Sequence, residues 1–264
     1  MYIIADRING MFKDVNAAIE AKDAAAIQAM AKELIANGAT ALDINAGRKT
    51  TDPKGTMLWL AECIRQVSEV PICVDTAKTD IMKAVVPQVP GAKIMNSTKA
   101  DPEMAIEYIG LAVEHDASLI GLTIDVDGVP GNVEKRVELG AQLVALATDG
   151  GLPMDRLFID PIMLPLKVTP QNPAHCLEAV SQIKAFADPP PHLLLGLSNV
   201  SDGCSSFNLI DRTYVAMAIA HGLSSVFADT RDTELVDSII TAELLLGKAV
   251  YCDSYLEAAR QAKN

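Results

Sequence analysis

Eight short apolar runs recur along this chain, and each ends on an Asp, an Asn or a hydroxyl residue. They read IIAD to Asp6, ALDIN to Asn45, ICVD to Asp75, KIMN to Asn96, IGLT to Thr123, LFID to Asp160, LLLGLSN to Asn199 and SVFAD to Asp229. An unbroken run of Ile, Leu and Val suits a strand buried on both faces, as in a parallel sheet covered by helices. A polar residue in such a strand then belongs at its end. Between the runs lie helical patterns. Residues 14–37 carry Val15, Ile19, Ile27, Leu34 and Ile35 near helical spacing and stop at Asn37-Gly38. Further helices are expected over 56–67, 79–86, 102–114, 132–148, 173–186, 209–221 and 235–246, the third of these opened by an Asp101-Pro102 cap. A closing helix is expected over 249–263. Strand then helix, eight times, implies parallel pairing with right-handed crossovers. The length of 264 residues suits a single (β/α)8 TIM barrel spanning residues 1–264 as one domain. An open doubly wound sheet alternates in the same way, but no G-x-G-x-x-G follows the first strand.

In a barrel, all the strand ends point into one mouth. The site expected there is a ring of carboxylates and amides, built to hold something rich in N–H groups.

A net charge of −12 argues against nucleic acid, whose phosphates need clustered Lys and Arg. No apolar stretch approaches the roughly 20 residues that span a bilayer, and MYIIADRING lacks a signal-peptide pattern, so a soluble cytoplasmic protein is expected. The five cysteines contain no C-x-x-C pair, which disfavours structural zinc and disulfides, and no bound metal is expected. Cys63 and Cys73 read as buried thiols, and Cys204 has no neighbouring His to activate it. The histidines 115, 175, 192 and 221 do not cluster; His115 ends a helix, and His221 is expected to pack against its Ala- and Met-rich helix. With no His, Cys or Lys placed for covalent chemistry, the site is expected to bind and orient.

Asp75, Asn96 and Asp160 close the third, fourth and sixth strands. A carboxylate accepts two parallel N–H bonds from a planar amidine-like edge, and an Asn amide donates and accepts at once. A pterin offers such an edge. Asp6, Asp43, Asn45 and Asn199 form a second set, with Asp43 and Asn45 on one face of their strand. Each residue alone could merely cap the following helix, and Asp6 could pair with Arg7. Gathered in one mouth they read as a site.

The motifs DRING (6–10), LDINAG (42–47), VDTAK (74–78), MNST (95–98), IDP (159–161) and GLSNVS (196–201) occur in the order of one family. Over essentially its whole length the chain resembles the methyltetrahydrofolate:corrinoid methyltransferases, a pterin-binding barrel family. That group includes the enzyme serving the corrinoid/iron–sulfur protein and the methyltransferase component of anaerobic demethylases. The resemblance implies that Asp75, Asn96 and Asp160 hold the pterin ring of tetrahydrofolate or 5-methyltetrahydrofolate. It implies that Asn199 hydrogen-bonds the methyl-bearing nitrogen N5, and that Asp43 and Asp6 support the network around it. It also implies a homodimer and a corrinoid (cobalamin) brought by a partner protein, since no D-x-H-x-x-G motif is present to bind one here.

Two positions depart from the family pattern. Asp6 stands where Glu is usual, one methylene shorter. The loop after Asn199 often carries Arg, but here it reads DGCSSFN, with Phe207 and no basic residue before Arg212. The alternatives are a dihydropteroate synthase-like enzyme and a non-catalytic folate-binding module. The first needs a Ser/Arg-Pro-Gly-type loop that AGRKTTDPKG does not supply. The second would bind folate without moving a methyl group.

Overall fold

The protein is described by a computed structural model covering residues 1–261. The chain opens with β1 (Tyr2–Asn9), α1 (Lys13–Ala21), α2 (Ala24–Ala36), β2 (Ala41–Asn45), α3 (Pro53–Arg65) and β3 (Ile72–Asp75). It continues through α4 (Thr79–Val85), β4 (Lys93–Lys99), α5 (Pro102–Glu114), β5 (Ser118–Leu122), α6 (Val133–Asp149) and β6 (Leu157–Asp160). It ends with α7 (Asn172–Ile183), β7 (His192–Gly196), α8 (Phe207–His221), β8 (Ser225–Phe227), α9 (Thr233–Leu245) and α10 (Tyr255–Gln261). The eight strands pair in parallel in sequence order, and β8 returns to β1, so the expected barrel closes.

Two apolar cores follow from the pleat. Side chains of alternate residues in each strand point outward against the helices or inward to the axis. The inward layer takes one residue from each of seven strands: Ile4, Ala41, Cys73, Ile94, Ile120, Phe158 and Leu194. Below it, the His192 ring stacks on Phe158 at 4.5 Å between centroids, and Tyr2 meets Phe158 edge-on at 5.4 Å. Burying each such side chain contributes roughly 1.5–3 kcal/mol and plugs the barrel beneath the mouth.

Residues 14–37 form two helices, not one. Lys22 adopts φ 51°, capping α1, and Asp23 starts α2 by accepting from the Ala26 N–H at 3.0 Å. An Ala-rich segment without Gly or Pro hides that break. Asp101 caps α5 through Met104 N–H, as expected. The closing helix begins at Tyr255 rather than 249, and its expected end at Lys263 lies outside the described residues. Among the described residues, no helix is long and apolar enough to cross a membrane.

The glycines of DRING and LDINAG have a steric cause. A Cβ on Gly10 would stand 2.5 Å from the Ala46 carbonyl oxygen, and one on Gly47 (φ +76°) would stand 2.6 Å from the Gly10 carbonyl carbon. The loops after β1 and β2 therefore touch backbone to backbone at the rim. Gly47→Ala is expected to cost roughly 2–4 kcal/mol, combining left-handed strain with overpacking. Thermal unfolding beside Gly131→Ala, where an added Cβ meets nothing within 4 Å, checks this. Equal melting temperatures for the two variants would refute it.

Candidate functional site at the barrel mouth

Asp6, Asp43, Asp75, Asn96 and Asp160 each lie two residues beyond an inward-layer residue, so the pleat carries them onto the same inner face, one step nearer the mouth. Asn45 lies one step further still. Strand register sets Asp43 beside Cys73 and Asp75 beside Asn96. Two cross-strand amide–carboxylate bonds result: Asn45 Nδ2 donates to Asp75 Oδ2 at 2.7 Å, and Asn96 Nδ2 donates to Asp43 Oδ1 at 3.3 Å. Capping is therefore not what Asp75 and Asn96 do; α4 begins at Thr79, and its N-cap residue Lys78 makes no side-chain cap. Asp160 does make one local bond, its Oδ1 accepting from Ile162 N–H at 2.8 Å. The buried Arg136 of α6 holds the same loop through the carbonyls of Pro161 and Ile162.

Other polar ends do not enter the mouth as expected. Thr123 lies past β5 and is buried, with Leu122 packed against the inward layer instead. Asp6 does not form an ion pair with Arg7, whose guanidinium pairs with Asp14 and lies 4.2 Å from the Phe12 ring centroid. His221 is exposed, not packed, and its Nδ1 is 2.9 Å from Ser181 Oγ. Asp6 and Asn96 stand inside their strands, since β1 runs on to Asn9 and β4 to Lys99, and Asn199 does not close a strand either. β7 stops at Gly196, and residues 197–199 form a 3₁₀ turn that leaves the Asn199 side chain exposed. A Cβ on Gly196 would approach Asn199 Nδ2 to 2.8 Å, so a side chain there would displace the Asn199 amide. The sequence reading missed Gly196, although its position two after inward-facing Leu194 was the available signal. Cys63 and Cys73 are buried as expected, and Cys204 is half-buried.

The carboxylates are crowded, with Asp43 and Asp160 buried and Asp6 and Asp75 half-buried. Burial raises Asp6 to about 6, opposed by its own backbone N–H and reinforced by the charges of Asp229 and Asp75. Asp43 is driven well above the ordinary carboxylate range by burial and then by the charge of Asp75, against hydrogen bonds from Cys73 and Asn96. Burial raises Asp75 too, against its bond from Asn45. Burial pushes Asp160 up to about 7, opposed by Ile162 N–H and the charge of Arg136. At Asp229 burial pushes upward, but hydrogen bonds from Arg231 prevail and hold it below the usual value. Like charges cannot all ionise in so crowded a bowl, so incoming N–H donors would relieve the cluster.

A raised acid favours the folded state when protonated. That stabilisation is complete below about pH 4 and disappears as pH climbs through about 6 to 7. Depressed surface acids such as Asp14 and Asp116 act only below that window. The ligand-free protein is therefore expected to melt higher at pH 5.5 than at pH 7.5, and Asp160→Asn should flatten the difference. Melting scans across this range decide it; a wild-type curve that rises toward pH 7.5 contradicts the assignment.

Two cavities open beside the cluster. One, of about 490 Å³, is lined by Asn45, Gly47, Arg48, Met57, Asp75 and Lys78. The other, of about 330 Å³, is lined by Asp6, Phe12, Ser198, Phe207, Asp211 and Phe227. A larger hollow of about 630 Å³ lies on the outer helices, among Arg212, Ala216, Thr241, Leu245 and Tyr255. Among the described residues, no three His, Cys, Asp or Glu side chains are placed to ligate one metal ion.

Known proteins resemble this chain in sequence and fold. Residues 13–227 match the family model described as pterin binding enzyme. The methylcorrinoid:tetrahydrofolate methyltransferase of Eubacterium limosum is 29% identical over 265 residues, covering 100% of this chain and 97% of the relative. The methionine synthase of Mycobacterium tuberculosis is 26% identical over 212 residues, which are 76% of this chain but 18% of that longer protein. Among solved structures, dihydropteroate synthase from Xanthomonas albilineans in complex with 7,8-dihydropteroate superposes with a TM-score of 0.68 over 95% of this chain and 94% of its own. Its 16% identity makes that likeness one of fold. With its barrel, its inward carboxylates and a family match spanning most of its length, the chain belongs to the pterin-binding enzymes.

Proposed function

We propose that this protein moves a methyl group between N5 of tetrahydrofolate and the cobalt of a corrinoid carried by a separate protein. The observation that carries this reading is the end-to-end match to the methylcorrinoid:tetrahydrofolate methyltransferase, because the barrel alone is common to other pterin enzymes. In our reading, Asp75 and Asp160 accept N–H bonds from the pterin ring, and Asn96 supplies an amide able to donate and accept. Asn199 addresses N5, with Asp43 and Asp6 supporting it from the floor of the bowl.

The chemistry asks little of the protein beyond placement. Methyl carbon bonds to N5 as its bond to cobalt breaks, the electron pair of that bond stays with cobalt, and the proton that N5 carried passes to solvent; the reverse transfer takes up a proton and retraces the same path. N5 changes charge as the bond forms or breaks, and an amide beside it can respond by turning its donor or acceptor end. Stabilisation confined to the transition state raises the rate, and the carboxylates contribute by orientation.

We take residues 1–264 as one pterin-binding unit. We also propose a cytoplasmic setting, consistent with five unpaired cysteines. A homodimer is proposed through the α8–α10 face, where Leu245 and Leu246 are exposed. The deciding assay mixes the purified chain with tetrahydrofolate and methylcobalamin, or the reverse pair, and follows the cobalt spectrum. Loss of the methyl–cobalt band with formation of methyltetrahydrofolate is the expected result. Tight folate binding without any transfer in either direction would instead establish a binding module.

A further inference from the structure

The two cavities at the mouth differ in charge. The one beside β7 and β8 is lined by four carboxylates, Asp6, Asp211, Asp229 and Asp232, and by no Lys or Arg. Asp229 and Asp232 are paired with Arg231 and Arg212, whereas Asp6 and Asp211 make no ion pair among the described residues. The cavity beside β2 and β3 is the reverse. Arg48 and Lys78 line it together with Asp75, and both are exposed. Among the described residues, neither cation forms an ion pair, and neither side chain makes a hydrogen bond. Arg48 follows Asn45 by three residues and Lys78 follows Asp75 by three, so the two cations stand on the loops that leave the bonded Asn45–Asp75 pair. Two cations without an ion pair thus converge on one cavity that also reaches Asp75.

We propose that Arg48 and Lys78 form a subsite for the carboxylated tail of the folate, which leaves the barrel over β2 and β3. This rests on the reading that the pterin ring stands at Asp75. A ring held there carries its substituent outward, and the tail of a reduced folate ends in free carboxylates, each added glutamate bringing one more. The β7–β8 side repels such a tail and the β2–β3 side attracts it. Phe207, in a loop without a basic residue ahead of Arg212, cannot supply that attraction from across the mouth. The cations act at an exposed rim, so their effect is modest and weakens with salt.

The test compares three ligands on the full-length protein: tetrahydrofolate, its triglutamate form, and a tail-less tetrahydropterin. Equilibrium binding is measured for wild type and for Arg48→Ser/Lys78→Ser, two exposed positions. The double variant is expected to bind tetrahydrofolate about three- to tenfold more weakly, and the triglutamate more weakly still. Its affinity for the tail-less pterin should match wild type, and raised salt should erase the difference between the two proteins. Unchanged affinity for the tailed ligands would overturn the subsite, as would an equal loss for the tail-less pterin. If wild type binds none of the three, the pterin reading itself falls; if it binds the tail-less ring but gains nothing from a tail, only the subsite does.

Discussion

Asn199→Ala is expected to slow methyl transfer by roughly 10²–10³-fold while leaving folate affinity within about twofold of wild type. The side chain stands on an exposed 3₁₀ turn and makes no intramolecular hydrogen bond among the described residues, so its removal leaves no buried partner unsatisfied. The barrel should therefore fold and melt as before. The loss should appear where charge changes at N5. A ground-state contact made equally in the transition state would alter binding and not the rate. Single-turnover transfer measured beside equilibrium folate binding separates the two. A variant with wild-type turnover removes Asn199 from the chemistry, and one that loses binding in proportion to rate makes it an ordinary contact. Gly196 offers a second handle on the same turn, because a side chain there would displace the Asn199 amide.

How far the sequence revealed this site depends on a single property of parallel barrels. Strands buried on both faces leave no alternation to read, yet the polar residue that ends an apolar run is conspicuous, and it marks the mouth. Asp6, Asp75, Asn96 and Asp160 were readable for that reason, Asp43 through its place two before Asn45, and all five share the parity of the inward layer. Parity also explains the failures. Thr123 ends its run one residue out of phase, so Leu122 faces inward. The Asn45–Asp75 bond joins residues thirty apart and depends on the stagger of neighbouring strands, which no local pattern records. Asn199 lies beyond its strand because the chain turns after Gly196, whose role is defined by a clash that only coordinates display. Arg48 and Lys78 were visible as residues, but their shared cavity was not.

The buried carboxylates are poor bases for a stable apo protein and good ones for holding a ligand. Burial raises all three, and the charge of Asp75 adds to it at Asp6 and Asp43, with Asp6 also raising Asp43. A ring edge that presents N–H groups supplies hydrogen bonds to the charged forms, and hydrogen bonding to a carboxylate favours its ionisation. Ligand affinity and proton release are then linked. The same crowding that penalises the empty bowl rewards an occupant of the right polarity.

Asp160 gives that linkage its clearest test. Its Oδ1 is tied to Ile162 N–H, while Oδ2 makes no hydrogen bond among the described residues and can accept from a ligand. Burial places its carboxyl at about 7, with Arg136 the nearby cation and the Cys176 thiol, pushed up to about 12 by burial, the nearby neutral group. Accepting N–H bonds requires the anion. Folate affinity should therefore strengthen as pH rises through about 7 and weaken below it. Asp160→Ala removes charge-assisted bonds worth roughly 1.5–3 kcal/mol each, so affinity at pH 8 should fall on the order of 10²-fold. Asp160→Asn keeps the shape and the acceptor for Ile162 but sets an N–H against the ligand's N–H, and should lose about as much. In both variants the dependence on pH near 7 should vanish. Calorimetric titrations at pH 6, 7 and 8 measure all of this at once, and a variant that binds folate normally at pH 8 removes Asp160 from the ring site.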